Sequence, residues 1–199
     1  MARLPTTGEY RTGPHGGYGY KRTEGHGRCH AGYPCWHWGL DMYPADLDEW
    51  IVAPEDATIA AVRTDVASPG PLEGYGPGGL RLVSRGHMVD LFSGLKVWHT
   101  LAHLNPADVA KGWRVGQEVA EGTPLARVFV PATRNDGSWR HLHYEIWRRA
   151  SVPRGQERGA HTYNPATWAS RRRVIDAAAA TGMMAAALGA AGQLARAVS

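Results

Sequence analysis

The sequence predicts a mainly β protein with a compact antiparallel β-sheet core, followed by a C-terminal helix rich in alanine. Three observations lead to this fold class. The 199 residues include 25 Gly and 13 Pro, so turns are frequent, and 8 Trp and 8 Tyr favour strands over long helices. Short runs of β-branched residues lie between these turns. Apolar residues make up 43% of the chain, which excludes a wholly disordered protein and allows one domain with a sizeable core.

The order of the elements follows from local patterns. Residues 1–28 are rich in Gly, Tyr and Arg without periodicity, which predicts an extended N-terminal arm. Between residues 109 and 126, valines and glycines recur at short intervals, which is typical of tight β-turns. The core domain is assigned to residues 29–168, and its predicted strands are residues 50–54, 57–62, 80–84, 95–101 and 141–147.

The last segment, residues 169–199, has a different composition. No charged residue lies between Asp176 and Arg196, and alanine dominates, which predicts a helix. Its alanines and glycines make it weakly hydrophobic, so we favour a helix packed on another protein over a membrane span. Small side chains allow close packing against a neighbouring copy or a larger assembly.

The net charge limits the classes of partner. It is +4 at pH 7, which is low for a nucleic-acid-binding protein and compatible with an anionic surface, so we expect no nucleic-acid partner. The first residues contain no apolar stretch of the kind that a secretory signal peptide needs.

The two cysteines, Cys29 and Cys35, lie in a loop rich in Gly and Pro. Their spacing permits a disulfide bond but does not require one. A zinc knuckle formed with His30 and His37 is a third possibility, but it lacks the paired C-x-x-C spacing of structural zinc sites. We therefore favour a disulfide or two free thiols over the knuckle.

Two groups of polar residues suggest chemistry. Residues 37–41 read H-W-G-L-D, and residues 141–143 read H-L-H. Side chains two positions apart in a strand share a face, so His141 and His143 point the same way. Two imidazoles, with a further histidine and a carboxylate from a neighbouring segment, form a site for a borderline metal such as zinc. The alternative is that these histidines are separate surface or core residues.

These motifs resemble those of the lysostaphin/LytM-type zinc metallopeptidases. The segment H-W-G-L-D is similar to their H-x-G-x-D element, and the segment H-L-H-Y-E-I is similar to their H-x-H-[FY]-E-I strand. The resemblance covers roughly residues 17–150, and its other segments are residues 19–22, 51–62, 101–104 and 109–126. Two departures flank the cleft that the resemblance implies and concern substrate preference: S-W-R at residues 138–140 in place of T-G-P, and Leu101 in place of a common tyrosine.

The resemblance implies a role for each matching residue. His37, Asp41 and His143 match the ligands of one Zn²⁺ ion, and His103 and His141 match the two histidines that line an open cleft without holding the metal. The resemblance gives the remaining histidines no role: His15, His26, His30, His87, His99 and His161.

Two further residues are interpreted from strand alternation. Glu145 shares a strand face with His143, so it is either an outer partner that fixes a ligand ring or a member of a surface salt bridge. His99 is predicted to share a face with His103 by alternation, and we interpret it as a spectator.

The function implied is that of a zinc metalloendopeptidase that hydrolyses peptide bonds of bacterial peptidoglycan, in cross-links or stem peptides. The alternative is a cell-wall-binding, activating or structural virion protein that has this fold without catalysis. An enzyme of this kind acts at the cell wall or periplasm. Without a signal peptide, we expect it to be carried in a phage virion as a tail-associated enzyme or released at lysis as an endolysin.

Overall fold

The computed structural model describes residues 4–12, 16–22, 35–64, 77–85, 96–130, 140–148 and 162–167. Within these ranges the chain consists mainly of strands, and every strand pairing is antiparallel, which confirms the predicted fold class. The Ala-rich C-terminal segment and the Cys29 loop lie outside the described residues. The strands are β1 (Tyr10–Thr12), β2 (Tyr20–Arg22), β3 (Cys35–His37), β4 (Leu40–Pro44), β5 (Trp50–Val52), β6 (Ala57–Arg63), β7 (Gly79–Ser84), β8 (Trp98–Ala102), β9 (Glu118–Val119), β10 (Pro124–Arg127), β11 (Leu142–Trp147) and β12 (Thr162–Tyr163).

One large sheet carries most of these strands. Its order is β1-β4-β11-β8-β7-β6-β9, and β12 pairs with β11 beside this path. Two smaller two-stranded sheets consist of β5 with β10 and β2 with β3. Strands β4, β8 and β11 therefore lie side by side in the large sheet, although they are far apart in the sequence.

The apolar core covers one face of this sheet. Leu80 on β7, Leu101 on β8 and Tyr144 on β11 are directly opposite one another in the register, so their side chains share this face. All three are buried, together with Leu82 and Ile146 in the next row. Leu101 is therefore a core residue, and the expectation that it flanks a cleft is wrong. Each buried aliphatic side chain of this kind contributes about 1.5–3 kcal/mol through the area it removes from water. The other face, called the polar face below, carries Asp41 on β4 and His143 and Glu145 on β11.

A short helix replaces part of the region predicted as tight turns. Helix α1 (Pro106–Gly112) begins after Asn105, whose side chain accepts a hydrogen bond from the backbone N–H of Ala107. Proline at the start of the helix and Asp108 in its first turn favour the same conformation. The prediction of turns is therefore wrong for residues 109–112, because these capping residues lie just before the segment from which the turns were predicted.

Parts of the predicted N-terminal arm belong to the sheets. Strand β1 pairs with β4, and β2 pairs with β3. The carboxylate of Glu49 accepts hydrogen bonds from the backbone N–H groups of Thr7, at 2.7 Å, and Gly8, at 2.5 Å. Residues 4–12 are therefore bonded to the core at several points, which include the bridge between Thr6 and Ile51. Within the described ranges, no helix has the length and apolar character needed to cross a membrane.

Candidate metal centre

Three side chains meet on the polar face of the large sheet. The Oδ1 atom of Asp41 lies 2.7 Å from Nδ1 of His143 and 3.0 Å from Nε2 of His37. The two ring nitrogens are 3.0 Å apart. His37 and Asp41 are 3% and 5% exposed, and the His143 side chain is 12% exposed. The three residues that the sequence predicts as ligands therefore form one compact, largely buried triangle.

Strand register explains why these residues meet. Asp41 on β4 is directly opposite His143 on β11, so their side chains share a face and lie close together. His37 ends β3, and the chain turns through Trp38 and Gly39 before β4 begins. This short connection returns the imidazole of His37 to the carboxylate four residues later, which accounts for the H-x-x-x-D spacing.

Each ligand ring is held at its other nitrogen. The Nδ1 atom of His37 lies 3.0 Å from the backbone carbonyl oxygen of Gly17, to which it donates. The Nε2 atom of His143 lies 2.9 Å from Oε1 of Glu145. Because these acceptors each take one N–H of a ring, the remaining ring nitrogens, His37 Nε2 and His143 Nδ1, are the ones that face the same point. Glu145 is only 2% exposed, so it contacts His143 inside the protein rather than at the surface.

The charges of the triangle reinforce one another. Burial raises the pKa of Asp41, but hydrogen bonds from His143 and His37 outweigh burial and lower this pKa well below its ordinary value. Burial lowers the pKa of His143, but hydrogen bonds to Asp41 and Glu145 outweigh it and raise the pKa to about 9. Asp41 is therefore a permanent carboxylate, and the site attracts positive charge.

This donor set suits a zinc ion. Two imidazole nitrogens and one carboxylate oxygen are ligands that zinc accepts, and three protein ligands leave a fourth position for water. Their ligand atoms all lie within 4.8 Å of one another. In a tetrahedral zinc site the ligand atoms are about 3.3 Å apart, so the three observed atoms need only a slight separation. Within the described residues, this is the group of side chains that fits a metal ion.

Two more histidines lie beside the triangle. The Nε2 atom of His141 is 3.5 Å from Oδ1 of Asp41, and its ring centroid is 4.8 Å from that of His103. The ring centroids of His103 and His143 are 5.9 Å apart. The structure thus brings both of the histidines predicted to line the cleft next to the three predicted ligands. The ring of Tyr43, which the sequence analysis did not single out, lies 4.9 Å from that of His141.

His103 reaches this site through an unusual backbone conformation. Its φ angle is +63°, in the left-handed region that residues other than glycine rarely adopt. The carbonyl oxygen of His103 accepts a hydrogen bond of 2.7 Å from the N–H of Phe129. Strand alternation therefore stops at His103, and its imidazole is directed to the polar face.

The prediction that His99 shares a face with His103 is wrong for this reason. His99 is opposite Ile146 in the register, so it lies on the core face with 1% exposure. Its Nε2 atom contacts the carboxylate of Glu55, and its Nδ1 atom lies 2.8 Å from the hydroxyl of Tyr144. Burial and the charge of Glu55 raise the pKa of Tyr144, so the hydroxyl keeps its proton and donates to His99. His99 is thus part of a buried polar network away from the metal triangle.

Sequence reasoning missed two groups at the site. The carbonyl of Gly17 is a backbone group, so no residue type marks it in the sequence. Trp147 lies in β11 four positions after His143, and its indole N–H donates to Glu145 at 2.8 Å. Alternation along that strand was a signal that could have found it.

The other predicted features, residues 138–139 and the histidines at positions 15, 26, 30, 87 and 161, lie outside the described residues.

The comparisons identify the fold but no close relative. No family model and no curated protein matches the chain. The solution structure of lysostaphin matches with a TM-score of 0.51 and 15% identity over 81% of this chain and 51% of lysostaphin. CbpA from L. salivarius REN and Csd3 from Helicobacter pylori also match, with TM-scores of 0.44 and 0.46, identities of 15% and 18%, and coverage of 68% and 88% of this chain and 74% and 42% of theirs. The chain spans about half the length of lysostaphin. It therefore has a lysostaphin-like fold.

Proposed function

We propose that this protein is a zinc-dependent endopeptidase that hydrolyses peptide bonds of bacterial peptidoglycan, in cross-links or stem peptides. The observation that carries the proposal is the convergence of His37, Asp41 and His143 within 3.0 Å of one another. Two further imidazoles stand beside them, and the whole arrangement lies on a lysostaphin-like fold.

His37, Asp41 and His143 would hold the metal and would leave one coordination position open. When bound, zinc supplies a water molecule whose pKa is lowered to about 7, and it polarises the carbonyl group of the substrate. The other nitrogen of each ring is already occupied: Nδ1 of His37 is bonded to the carbonyl oxygen of Gly17, and Nε2 of His143 is bonded to the carboxylate of Glu145. Neither ligand ring is therefore available to move protons, and this task falls to other residues.

His141 and His103 are the residues in position to move protons. The Nε2 atom of His141 is 3.5 Å from the Asp41 carboxylate, so it can accept a proton beside the metal position and return it to the leaving amine. The ring of His103 meets that of His141 almost edge-on, at an interplanar angle of 74°. An N–H group of His103 can stabilise the negative charge that develops on the carbonyl oxygen.

Digestion of purified peptidoglycan tests this function directly. We expect the full chain to release soluble fragments whose mass spectra show cleaved peptide bonds. A chelator should stop the release, and added zinc should restore it. Asp41→Asn should remove the activity, whereas Asp48→Asn should retain it, because the Asp48 side chain is 90% exposed. Release that is insensitive to chelator, or cleavage in glycan strands, would contradict the proposal.

A protein that binds peptidoglycan without cutting it is the alternative. The same digestion assay identifies it, because the chain would then sediment with peptidoglycan and release no fragments. The complete set of His37, Asp41, His103, His141 and His143 favours the enzyme, since a binding module has no need of the two proton-transferring histidines.

The setting of this activity is a further part of the proposal. We propose that the chain acts at the bacterial cell wall as part of a phage particle or a lysis system. The support comes from composition: three arginines at residues 171–173 precede an uncharged Ala-rich stretch that suits docking on another protein. The partner is either a tail component or a second copy of the chain.

A further inference from the structure

Trp147 is hydrogen-bonded to the carboxylate of Glu145, and this carboxylate is in turn bonded to the candidate metal ligand His143. The indole Nε1 of Trp147 donates to Oε2 of Glu145 at 2.8 Å, and Oε1 of the same carboxylate lies 2.9 Å from Nε2 of His143. Both oxygens of Glu145 are thus bonded to ring N–H groups on either side. Trp147 is 0% exposed and Glu145 is 2% exposed, so water does not replace either contact.

Packing fixes the indole in this orientation. The guanidinium carbon of Arg81 lies 5.9 Å from the ring centroid of Trp147 and 5.3 Å from that of Trp98. Strand register places Trp98 on β8 directly opposite Trp147 on β11. Arg81 is itself 1% exposed. The ring of Trp147 is therefore confined among buried neighbours, and its N–H cannot turn away from Glu145.

The chemistry of these groups sets the protonation of the ligand ring. An indole N–H only donates a hydrogen bond, and a carboxylate only accepts. Glu145 therefore accepts from both sides, which keeps a proton on Nε2 of His143 and makes Nδ1, the nitrogen that faces Asp41 and His37, the one that can bind metal. We propose that Trp147 is a positioning residue of the metal site: it orients Glu145 and thereby fixes the tautomer of His143 that binds metal. This rests on the proposed function only in requiring a metal at the triangle.

The substitution Glu145→Gln gives this inference a distinctive consequence. The amide of glutamine has one accepting oxygen and one donating NH₂ group. The indole of Trp147 can only donate, so the amide oxygen must face it and the NH₂ must face His143. The Nε2 atom of His143 then accepts, the ring proton moves to Nδ1, and metal binding is opposed. Glu145→Gln should therefore weaken metal binding more than Glu145→Ala does, although glutamine fills more of the space.

Cobalt titration of the full-length chain tests the proposal through metal affinity. Co²⁺ bound at the site gives visible absorption, so its dissociation constant is measured without any substrate. We expect Glu145→Ala and Trp147→Phe each to weaken Co²⁺ binding about tenfold, and Glu145→Gln to weaken it about 100-fold, the range for outer partners of metal ligands. Trp98→Phe is the matched control, because among the described contacts Trp98 also lies against Arg81 but donates no hydrogen bond to Glu145.

The double substitution decides between positioning and simple packing. With Glu145→Gln in place, Trp147→Phe frees the amide to turn its oxygen toward His143, so cobalt affinity should recover about tenfold. Trp147→Phe would thus be harmful in one background and beneficial in the other. The proposal would be overturned if Trp147→Phe lowered the Co²⁺ affinity equally with Glu or Gln at position 145, or did not lower it at all. It would also be overturned if Glu145→Gln bound Co²⁺ more tightly than Glu145→Ala. A chain that binds Co²⁺ but leaves peptidoglycan intact would contradict the proposed function and leave this test unaffected.

Discussion

The imidazole of His143 occupies the space where a side chain at position 39 would begin. A Cβ atom on Gly39 would lie 2.5 Å from Cε1 and 2.7 Å from Nε2 of that ring, closer than real Cβ contacts allow. It would also lie 3.0 Å from Cγ of Glu145. The glycine of the H-W-G-L-D segment is therefore needed because the imidazole of His143 packs directly against the backbone there.

Gly39→Ala should consequently damage the metal site. The new methyl group displaces the His143 ring or separates it from Glu145, so we expect metal affinity to fall about tenfold or more. Competition with a chelator of known affinity measures the change. Gly112→Ala is the control, because no atom beyond its chain neighbours and its own helix backbone lies within 4 Å of the position its Cβ would take. Unchanged affinity in the Gly39 variant would show that the ring can move without cost to the site.

The histidines should separate into two groups. His37→Ala should lose the metal together with the activity, because His37 Nε2 is one of the three converging ligand atoms. His103→Ala and His141→Ala should keep the metal and lose turnover by about 10²–10⁴-fold, the usual contribution of a proton-transferring residue. Metal analysis and fragment release on the same samples distinguish the groups. Equal metal loss in all three variants would mean that the roles are assigned wrongly.

Metal affinity should rise with pH. Without metal, hydrogen bonds to Asp41 and Glu145 outweigh burial and raise the pKa of His143 from 6.5 to about 9. Its proton stabilises the metal-free fold fully below pH 6.5, and this stabilisation is lost as the pH rises through about 9. A metal ion replaces that proton, so between these pH values affinity should increase about tenfold per pH unit.

Chelator competition at several pH values measures this slope. Calorimetry in buffers of different ionisation enthalpy should show about one proton released per metal ion near pH 7. An affinity that does not change between pH 6.5 and 9 would mean that His143 is neutral before the metal binds.

Removing the first 19 residues should weaken metal binding. This truncation removes the carbonyl oxygen of Gly17, which holds Nδ1 of His37, and that of Gly16, which accepts from the N–H of Asp41 at 2.8 Å. A truncation of residues 1–9 is the control, because it keeps both carbonyls while losing the contacts of Thr7 and Gly8 with Glu49. We expect both truncations to lower the melting temperature, but only the longer one to reduce metal affinity. Identical affinities would assign residues 16–19 a purely structural role.

Deletion of residues 170–199 should leave metal content and peptidoglycan cleavage nearly unchanged. This expectation comes from the sequence alone, since an isolated Ala-rich helix buries too little apolar area to be held against a β core. Assembly with a partner, measured by sedimentation or by incorporation into particles, should be lost. A truncated chain that fails to fold would show instead that the helix belongs to the core of the domain.

The fold class and the shared face of His141 and His143 were predictable from turns and strand periodicity. The full set of site residues was predicted only by the resemblance to the lysostaphin/LytM-type metallopeptidases. His141 and His143 flank Leu142, and the alternation of β11 also places Glu145 and Trp147 on the face of His143. The antiparallel pairing of β4 with β11 then brings Asp41 opposite His143. Whether a metal occupies this triangle stays a prediction.

Other features depend on information that residue types do not carry. The positive φ of His103 ends the alternation of β8, so His99 and His103 face opposite sides of the sheet. The carbonyl of Gly17 could belong to any residue. Helix α1 was missed because its cap, Asn105, lies outside the run of valines and glycines that suggested turns.

The backbone conformation of His103 also determines how firmly the direction of its imidazole is fixed. The carbonyl of His103 accepts from the backbone N–H of Phe129, and the N–H of the next residue, Leu104, donates to the carbonyl of Gly78, just before β7. A Cβ at Gly78 would lie 2.3 Å from the carbonyl oxygen of Leu104, so this approach is as close as a backbone permits. The direction of the His103 imidazole is thus set by backbone hydrogen bonds to the residues that follow β10 and precede β7. Because these bonds involve only main-chain atoms, substitutions of the side chains at positions 104 and 129 can leave this direction unchanged.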